Sequence, residues 1–99
     1  MKIKLVNRGS EGELILEGRL DAITSQEAEK IFMDVAERFD SLVLNMADMT
    51  YISSAGLRVI KLLHMKMRKK NGELTLTNVN KMVMEVFEMT GFAGLLRIR

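Results

Sequence analysis

The 99-residue sequence contains no cysteine and no proline. Without cysteine it can form no disulfide and offers no thiolate for catalysis or metal binding, which fits a reducing cytoplasm. Proline, low-complexity tracts and internal repeats are all absent, so nothing marks a linker between domains. We therefore expect a single cytoplasmic domain over residues 1–99, a length that can close one hydrophobic core but not two.

The sequence also lacks an excess of charge of one sign and any long apolar run. Fifteen Lys and Arg residues against 13 Asp and Glu residues give a net charge of +2, which is too small to predict nucleic-acid binding. Charged residues interrupt the apolar segment at residues 1–6, so we expect no signal peptide. No segment is long and apolar enough to predict a membrane span.

The residues available for catalysis are few. The single histidine, His64, follows Ser54 on one predicted helix by roughly 15 Å, too far for a nucleophile–base pair. No phosphate-binding glycine loop and no metal-ligand spacing is present. Only Asp21 and Asp48 could meet as paired carboxylates. We predict no enzymatic activity, no cofactor and no metal ion.

Apolar periodicity predicts an α/β fold with the order β-β-α-β-α-β-α. Residues 2–6 and 13–17 predict a hairpin, and residues 41–46 and 73–77 predict two further strands. Thr24 and Glu27 fit a capping box at the first helix. The last helix begins after Asn78 or Asn80 and ends at Gly91, and residues 95–99 could add a short strand. This order implies a mixed sheet of four to five strands covered by helices.

The central stretch of the chain is residues 48–57, Asp-Met-Thr-Tyr-Ile-Ser-Ser-Ala-Gly-Leu. It joins a predicted strand to a predicted helix from about Ser54 to Lys70. Ser53 and Ser54 are residue types that cap helices, and the same position attracts negative charge. A serine here is either a helix cap or a seat for a phosphoryl group.

One side of this helix is predicted to be core, and it carries Gly56, Val59, Ile60, Leu63 and Met67. Leu57 lies about 160° around the helix from Val59. We therefore predict that Leu57 faces solvent beside Ser54, where it could anchor a partner. The basic residues of the helix predict a solvated surface.

Residues 44–57 read Leu-Asn-Met-Ala-Asp-Met-Thr-Tyr-Ile-Ser-Ser-Ala-Gly-Leu. This string resembles, without a gap, the signature of the STAS-domain anti-sigma factor antagonists of bacteria. Residues 18–21, Gly-Arg-Leu-Asp, resemble the second motif of that family, whose aspartate lies near the phosphorylation loop. The resemblance covers nearly the whole chain and implies a single STAS domain with the α/β fold described above.

The resemblance implies a protein-binding module switched by phosphorylation. Its unphosphorylated form would bind an anti-sigma factor serine kinase and free a sigma factor for transcription. The kinase would then phosphorylate the module with ATP, and a serine phosphatase would reset it. We expect a monomer when the module is free, with no direct contact to nucleic acid or membrane.

Matched position by position, the phosphoacceptor of the family falls on Ser54. Ser53, which stands where many members have aspartate, is the second choice. The phospho-loop or partner-binding positions implied by the match are Asp21, Asp48, Thr50, Ser53, Ala55, Gly56, Leu57 and Arg58. The serine at position 53 also leaves an alternative open, a constitutive STAS-like scaffold or regulatory subunit of a transporter or signalling complex without a phospho-switch.

Overall fold

The computed structural model describes residues 1–99 as five strands and four helices in one α/β unit. In chain order these are β1 (Lys2–Arg8), β2 (Glu11–Leu20), α1 (Thr24–Arg38), β3 (Ser41–Ile52), α2 (Ser54–Lys69), β4 (Glu73–Thr77), α3 (Lys81–Thr90), α4 (Phe92–Leu95) and β5 (Arg97–Ile98). The predicted order is confirmed, including the short final strand. The four-residue α4 was not predicted because one helical turn carries no readable periodicity.

The five strands form one sheet in the order β1-β2-β3-β4-β5. β1 and β2 are an antiparallel hairpin whose turn contains Gly9 at φ 83, and the other three pairings are parallel. Every parallel connection advances one strand in the same direction. Because such crossovers are right-handed, all the helices lie on the same face of the sheet.

The core lies between that face and the helices. It is a single cluster of 23 buried residues. The strands contribute alternate residues, among them Leu14, Leu16, Leu42, Leu44 and Leu76. The residues predicted as the core side of α2 are all buried, namely Gly56, Val59, Ile60, Leu63 and Met67. None of the helices has both the length and the apolar character that a membrane crossing requires.

β3 is longer than its sequence pattern predicts. It continues through residues that we expected to form a turn and ends only at Ile52. Pairing with β2 holds this extension, from Glu17 opposite Asp48 to Leu20 opposite Ile52, with register shifts on the way. Pairing with β4 stops earlier, at Asn45. The extension depends on a distant strand, which local periodicity does not report.

The helix termini confirm one predicted cap and correct another. The Asn80 side chain accepts a hydrogen bond from the Val83 N–H at 2.9 Å and caps α3. The predicted capping box at α1 is wrong, because the helix begins after Ile23 and neither Thr24 nor Glu27 makes the capping hydrogen bond of that motif. Instead, the Asp21 carboxylate accepts hydrogen bonds from the Ile23 and Thr24 N–H groups, each at 3.0 Å.

Candidate functional site

The candidate site is the junction between β3 and α2, where Ser53 is the only residue outside both elements. β3 and its parallel neighbour β2 end side by side, since Leu20 is opposite Ile52. The carboxyl ends of parallel strands are the usual place for ligand and partner sites in such sheets. The two serines therefore lie at the edge of the sheet where a site is expected.

Ser53 is fixed by three hydrogen bonds. Its N–H donates to the Leu20 carbonyl at 2.9 Å, and its own carbonyl accepts from the Leu57 N–H at 2.9 Å. Its hydroxyl accepts from the Gly56 N–H at 3.3 Å, which makes Ser53 the N-cap of α2. The side chain of Ser53 thus satisfies one of the helix N–H groups that would otherwise lack a partner.

Ser54 has neither the side-chain hydrogen bond nor the bond to the Leu20 carbonyl that fix its neighbour. It is the first residue of α2, its side chain is exposed, and its hydroxyl makes no hydrogen bond within the chain. The first turn of a helix favours negative charge through its free N–H groups and its dipole. A group added to the Ser54 oxygen would enter solvent and would disturb no existing contact of that oxygen.

Gly56 permits the close approach of α2 to the end of β2. A Cβ atom at this position would lie 2.7 Å from the Leu20 carbonyl oxygen and 2.8 Å from the Leu20 Cγ. Such distances are too short for a side chain to occupy without movement of the backbone. Ala55 beside it is half-buried. The first turn of the helix is therefore held tightly against the sheet.

Asp21 organises the neighbouring turn, between β2 and α1. The N–H that Thr24 donates to the Asp21 carboxylate lowers the pKa of this group below its usual value; burial opposes that shift, while the Ile23 N–H and Arg19 add to it. Arg19 lies 3.6 Å from the carboxylate and stacks on the Tyr51 ring at 4.2 Å from its centroid. The carboxylate is thus fixed beside Leu20 as an anion.

Asp48 and Thr50 lie on the strand rather than in the serine turn. Both are exposed residues of β3. Asp48 precedes Ser53 by five residues, roughly 15 Å at the rise of a strand. It is opposite Glu17, and Asp21 lies beyond Leu20, so the two aspartates are at least roughly 10 Å apart along the strands. The structure does not bring Asp21 and Asp48 together as a carboxylate pair.

The prediction that Leu57 faces solvent is wrong. Leu57 is only 6% exposed and belongs to the core. Val59 and Leu57 mark the two edges of one buried arc of roughly 160°, rather than opposite sides of the helix. The arc is this wide because Gly56 allows the first turn of α2 to lie close to the sheet. Arg58 does face solvent, and it donates to the Glu29 carboxylate of α1 at 2.9 Å.

The structure shows exposed apolar residues at this end of the sheet that sequence reasoning missed. Ile23, in the turn after β2, is 83% exposed. Tyr51 and Met82 are also exposed, and both line a small cleft between β3 and α3. Ile23 lies two residues after Asp21, so the turn chemistry of that aspartate was the only sequence signal that could have placed Ile23 near the serines.

His64 lies further along α2, away from the serines. It is half-buried in a cavity that also contains Arg68 and Arg97, and its Nε2 atom has no hydrogen-bond partner. Burial lowers the pKa of His64, and the charge of Arg68 lowers it further. No three His, Asp or Glu side chains lie together in an arrangement that could hold a metal ion.

Comparison with known protein families and sequences identifies one family and a related protein. The model of the STAS domain family matches residues 3–99. A proposed anti-sigma factor antagonist of Bordetella bronchiseptica, BtrV, is 38% identical over an alignment of 77 residues that covers 74% of this chain and 66% of the relative. The match thus spans slightly less than two thirds of that relative.

Solved structures of low sequence identity share the fold. The anti-sigma factor antagonist SpoIIAA in its unphosphorylated form has a TM-score of 0.82 at 17% identity, covering 99% of this chain and 88% of that chain. The phosphorylated form of the Bacillus protein SpoIIAA has a TM-score of 0.78 at 14% identity, covering 99% and 91%. An anti-sigma factor antagonist from Mycobacterium paratuberculosis has a TM-score of 0.87 at 16% identity, covering 98% and 83%.

The close contact at Gly56 predicts a large effect of one methyl group. Gly56→Ala should lower the free energy of unfolding by about 1–3 kcal/mol, the usual cost of overpacking, because the Cβ would collide with backbone. Gly94→Ala is the matched control, since a Cβ at Gly94 meets nothing within 4 Å. Urea unfolding of both variants measures the difference. Equal stability of the two would contradict the tight contact.

Proposed function

The chain belongs to the STAS domain family, and from that membership we propose that it is an anti-sigma factor antagonist switched by phosphorylation of Ser54. When unphosphorylated, it binds an anti-sigma factor that is also a serine kinase, and a sigma factor is thereby freed for transcription. The names of BtrV and SpoIIAA support this assignment. The existence of SpoIIAA in a phosphorylated and an unphosphorylated form supports the switch.

The contrast between the two serines is the observation that carries this proposal. The Ser53 hydroxyl already accepts the Gly56 N–H as a helix cap, whereas the Ser54 hydroxyl is exposed and free. In the transfer step the Ser54 oxygen attacks the γ-phosphorus of ATP, the bond to ADP breaks, and the hydroxyl proton passes to a base of the kinase. Modification of Ser53 would cost the cap of α2, about 1 kcal/mol.

Phosphorylation at this place changes the surface and leaves the fold intact. A phosphoserine carries a charge of about −1.5 to −2. The N-terminus of α2 tolerates that charge because its free N–H groups and dipole favour an anion. A partner docked over the serine instead meets a new charge, with repulsion from its own carboxylates and the cost of removing water from the phosphate.

The exposed apolar residues around the serines provide the remainder of the contact surface. Ile23, Tyr51 and Met82 all lie at the carboxyl end of the sheet, and their exposure ranges from 37% for Tyr51 to 83% for Ile23. Exposed apolar groups grouped beside a polar site are typical of protein interfaces. In this role they replace Leu57, which is buried. Arg58 borders the same surface as an exposed cation of α2.

The proposed switch works in the cytoplasm, on a chain that is a monomer when free and that performs no catalysis of its own. A serine phosphatase removes the phosphate and restores binding. Asp21 supports the turn that exposes Ile23. Asp48 and Thr50, which are exposed on β3, contact a partner large enough to reach back along that strand.

The proposal predicts a single modification. Incubation with ATP and an anti-sigma factor kinase that binds the chain should add one phosphate, which intact-mass measurement detects and peptide mapping places on Ser54. Ser54→Ala should bind the kinase and remain unmodified, and Ser53→Ala should still be modified. Phosphate on Ser53 or Thr50 would show that the phosphoacceptor is that residue and not Ser54. Tight binding without any modification would favour the constitutive scaffold.

A charge at position 54 should prevent binding. Ser54→Asp should weaken binding to the same kinase by about 3 kcal/mol, roughly a hundredfold, because the carboxylate imitates part of the phosphate charge. Calorimetry measures the affinity. The far-ultraviolet circular dichroism should match that of the wild type, which shows that the fold is intact. Wild-type affinity in this variant would contradict the switch.

The apolar surface gives a prediction that does not involve the serine. Ile23→Ser should weaken kinase binding by about 1–2 kcal/mol, a typical effect for a central interface residue. Met89→Ser is the matched control, because Met89 is similarly exposed, at 86%, but lies at the far end of α3. Thermal unfolding should be unchanged in both variants. Equal affinities for the kinase would exclude Ile23 from the interface.

A further inference from the structure

The outward side of α2 carries charge of one sign only. The helix contains no Asp or Glu. Its five basic residues are Arg58, Lys61, Lys66, Arg68 and Lys69. Two of them are neutralised by α1, since Arg58 contacts Glu29 at 2.9 Å and Lys66 contacts Glu37 at 2.7 Å. The other three form no ion pair, so three cations on one helix are available to a partner.

An apolar groove lies beside these cations. It runs between α1 and α2 with a volume of about 630 Å³, and Met33, Leu62 and Met65 form its apolar lining. Met65 is 54% exposed, although it lies in the middle of its helix. Lys66, Arg68 and Lys69 form the basic border of the groove. Flexible methionine side chains adapt readily to different apolar partners.

We propose that this groove is a second docking surface, which binds an acidic amphipathic helix of a protein partner. Apolar residues of that helix contact Met33 and Met65, and its carboxylates pair with Arg68 and Lys69, the two cations on the border of the groove that form no ion pair. An amphipathic helix in an apolar groove between two helices is a common mode of recognition. The surface is centred on Met65, eleven residues from Ser54 and roughly 16 Å along the helix, so it does not depend on the phosphoacceptor.

The charges on α1 favour a protein helix over an anionic membrane. Asp34 and Glu37 are strongly exposed on α1, at the other side of the groove. Each is paired with a cation, Asp34 with Arg38 at 3.6 Å and Glu37 with Lys66 at 2.7 Å, so the α1 side of the groove offers an anionic membrane no net positive charge. A single helix in the groove can place its carboxylates on the α2 side alone.

The methionines themselves report on the site. The full chain is labelled with ¹³C at the methionine methyl groups and titrated with a synthetic amphipathic helical peptide of about eighteen residues, with leucines on one face and glutamates beside them. The Met33 and Met65 signals should shift and saturate. Met82 and Met89, which are exposed on α3, should not shift, and they control for nonspecific contact with exposed methionines.

Charge reversal tests the electrostatic part of the proposal. The double variant Arg68→Glu and Lys69→Glu should bind the peptide at least about tenfold more weakly. Lys81→Glu, an exposed lysine at the start of α3, should bind like the wild type. No shift at Met33 and Met65, or equal shifts at Met89, would overturn the proposal.

Vesicles containing phosphatidylserine separate the membrane from the protein partner. If they bind the chain and shift Met33 and Met65 while the peptide does not, the occupant is a membrane and the proposal is wrong. The titrations need neither a kinase nor Ser54. Their failure would therefore leave the phospho-switch intact, and failure of the phosphorylation experiment would leave this surface intact.

Discussion

The contact between the end of β2 and the start of α2 determines the geometry of the candidate site. The Leu20 carbonyl accepts the Ser53 N–H at 2.9 Å, and the same oxygen would lie 2.7 Å from any Cβ at Gly56. The Leu20 carbonyl oxygen thus determines both where α2 begins and how closely its first turn approaches β2. Ser53 is held as the cap, and Ser54 is turned outward by the first helical turn. Two adjacent serines acquire different chemistry because only one of them is tied to the sheet.

The same contact explains why we expect the proposed phosphorylation of Ser54 to leave the fold stable. The core lies beneath α2 and contains Leu57, whereas Ser54 is exposed at the start of the same turn. In the proposed switch, a phosphate on Ser54 therefore alters the surface that a partner meets, and the packed residues keep their contacts. This separation of surface from core is the physical requirement for a switch that acts through binding and not through unfolding.

Local sequence pattern predicted the order of elements and the core of α2, because strands and helices have different apolar periods. It also located the serine turn and the residues of its first helical turn. It could not predict the burial of Leu57, which depends on how closely Gly56 lets the helix approach Leu20. It ended β3 too early, because pairing with β2 extends the strand. The exposure of Ile23 and the groove beside Met65 follow from tertiary arrangement alone.

The strand order has a consequence for synthesis of the chain. Each strand pairs with the one that precedes it in the sequence, so no strand has to be inserted between two that are already paired. The parallel pairings close loops of roughly twenty to thirty residues, and the entropic cost of closure rises only slowly with loop length. A nascent chain emerging from the ribosome can therefore add each βα unit to an existing sheet edge. The serine turn becomes complete once β3 and α2 have emerged, and it does not need β4, α3 or β5.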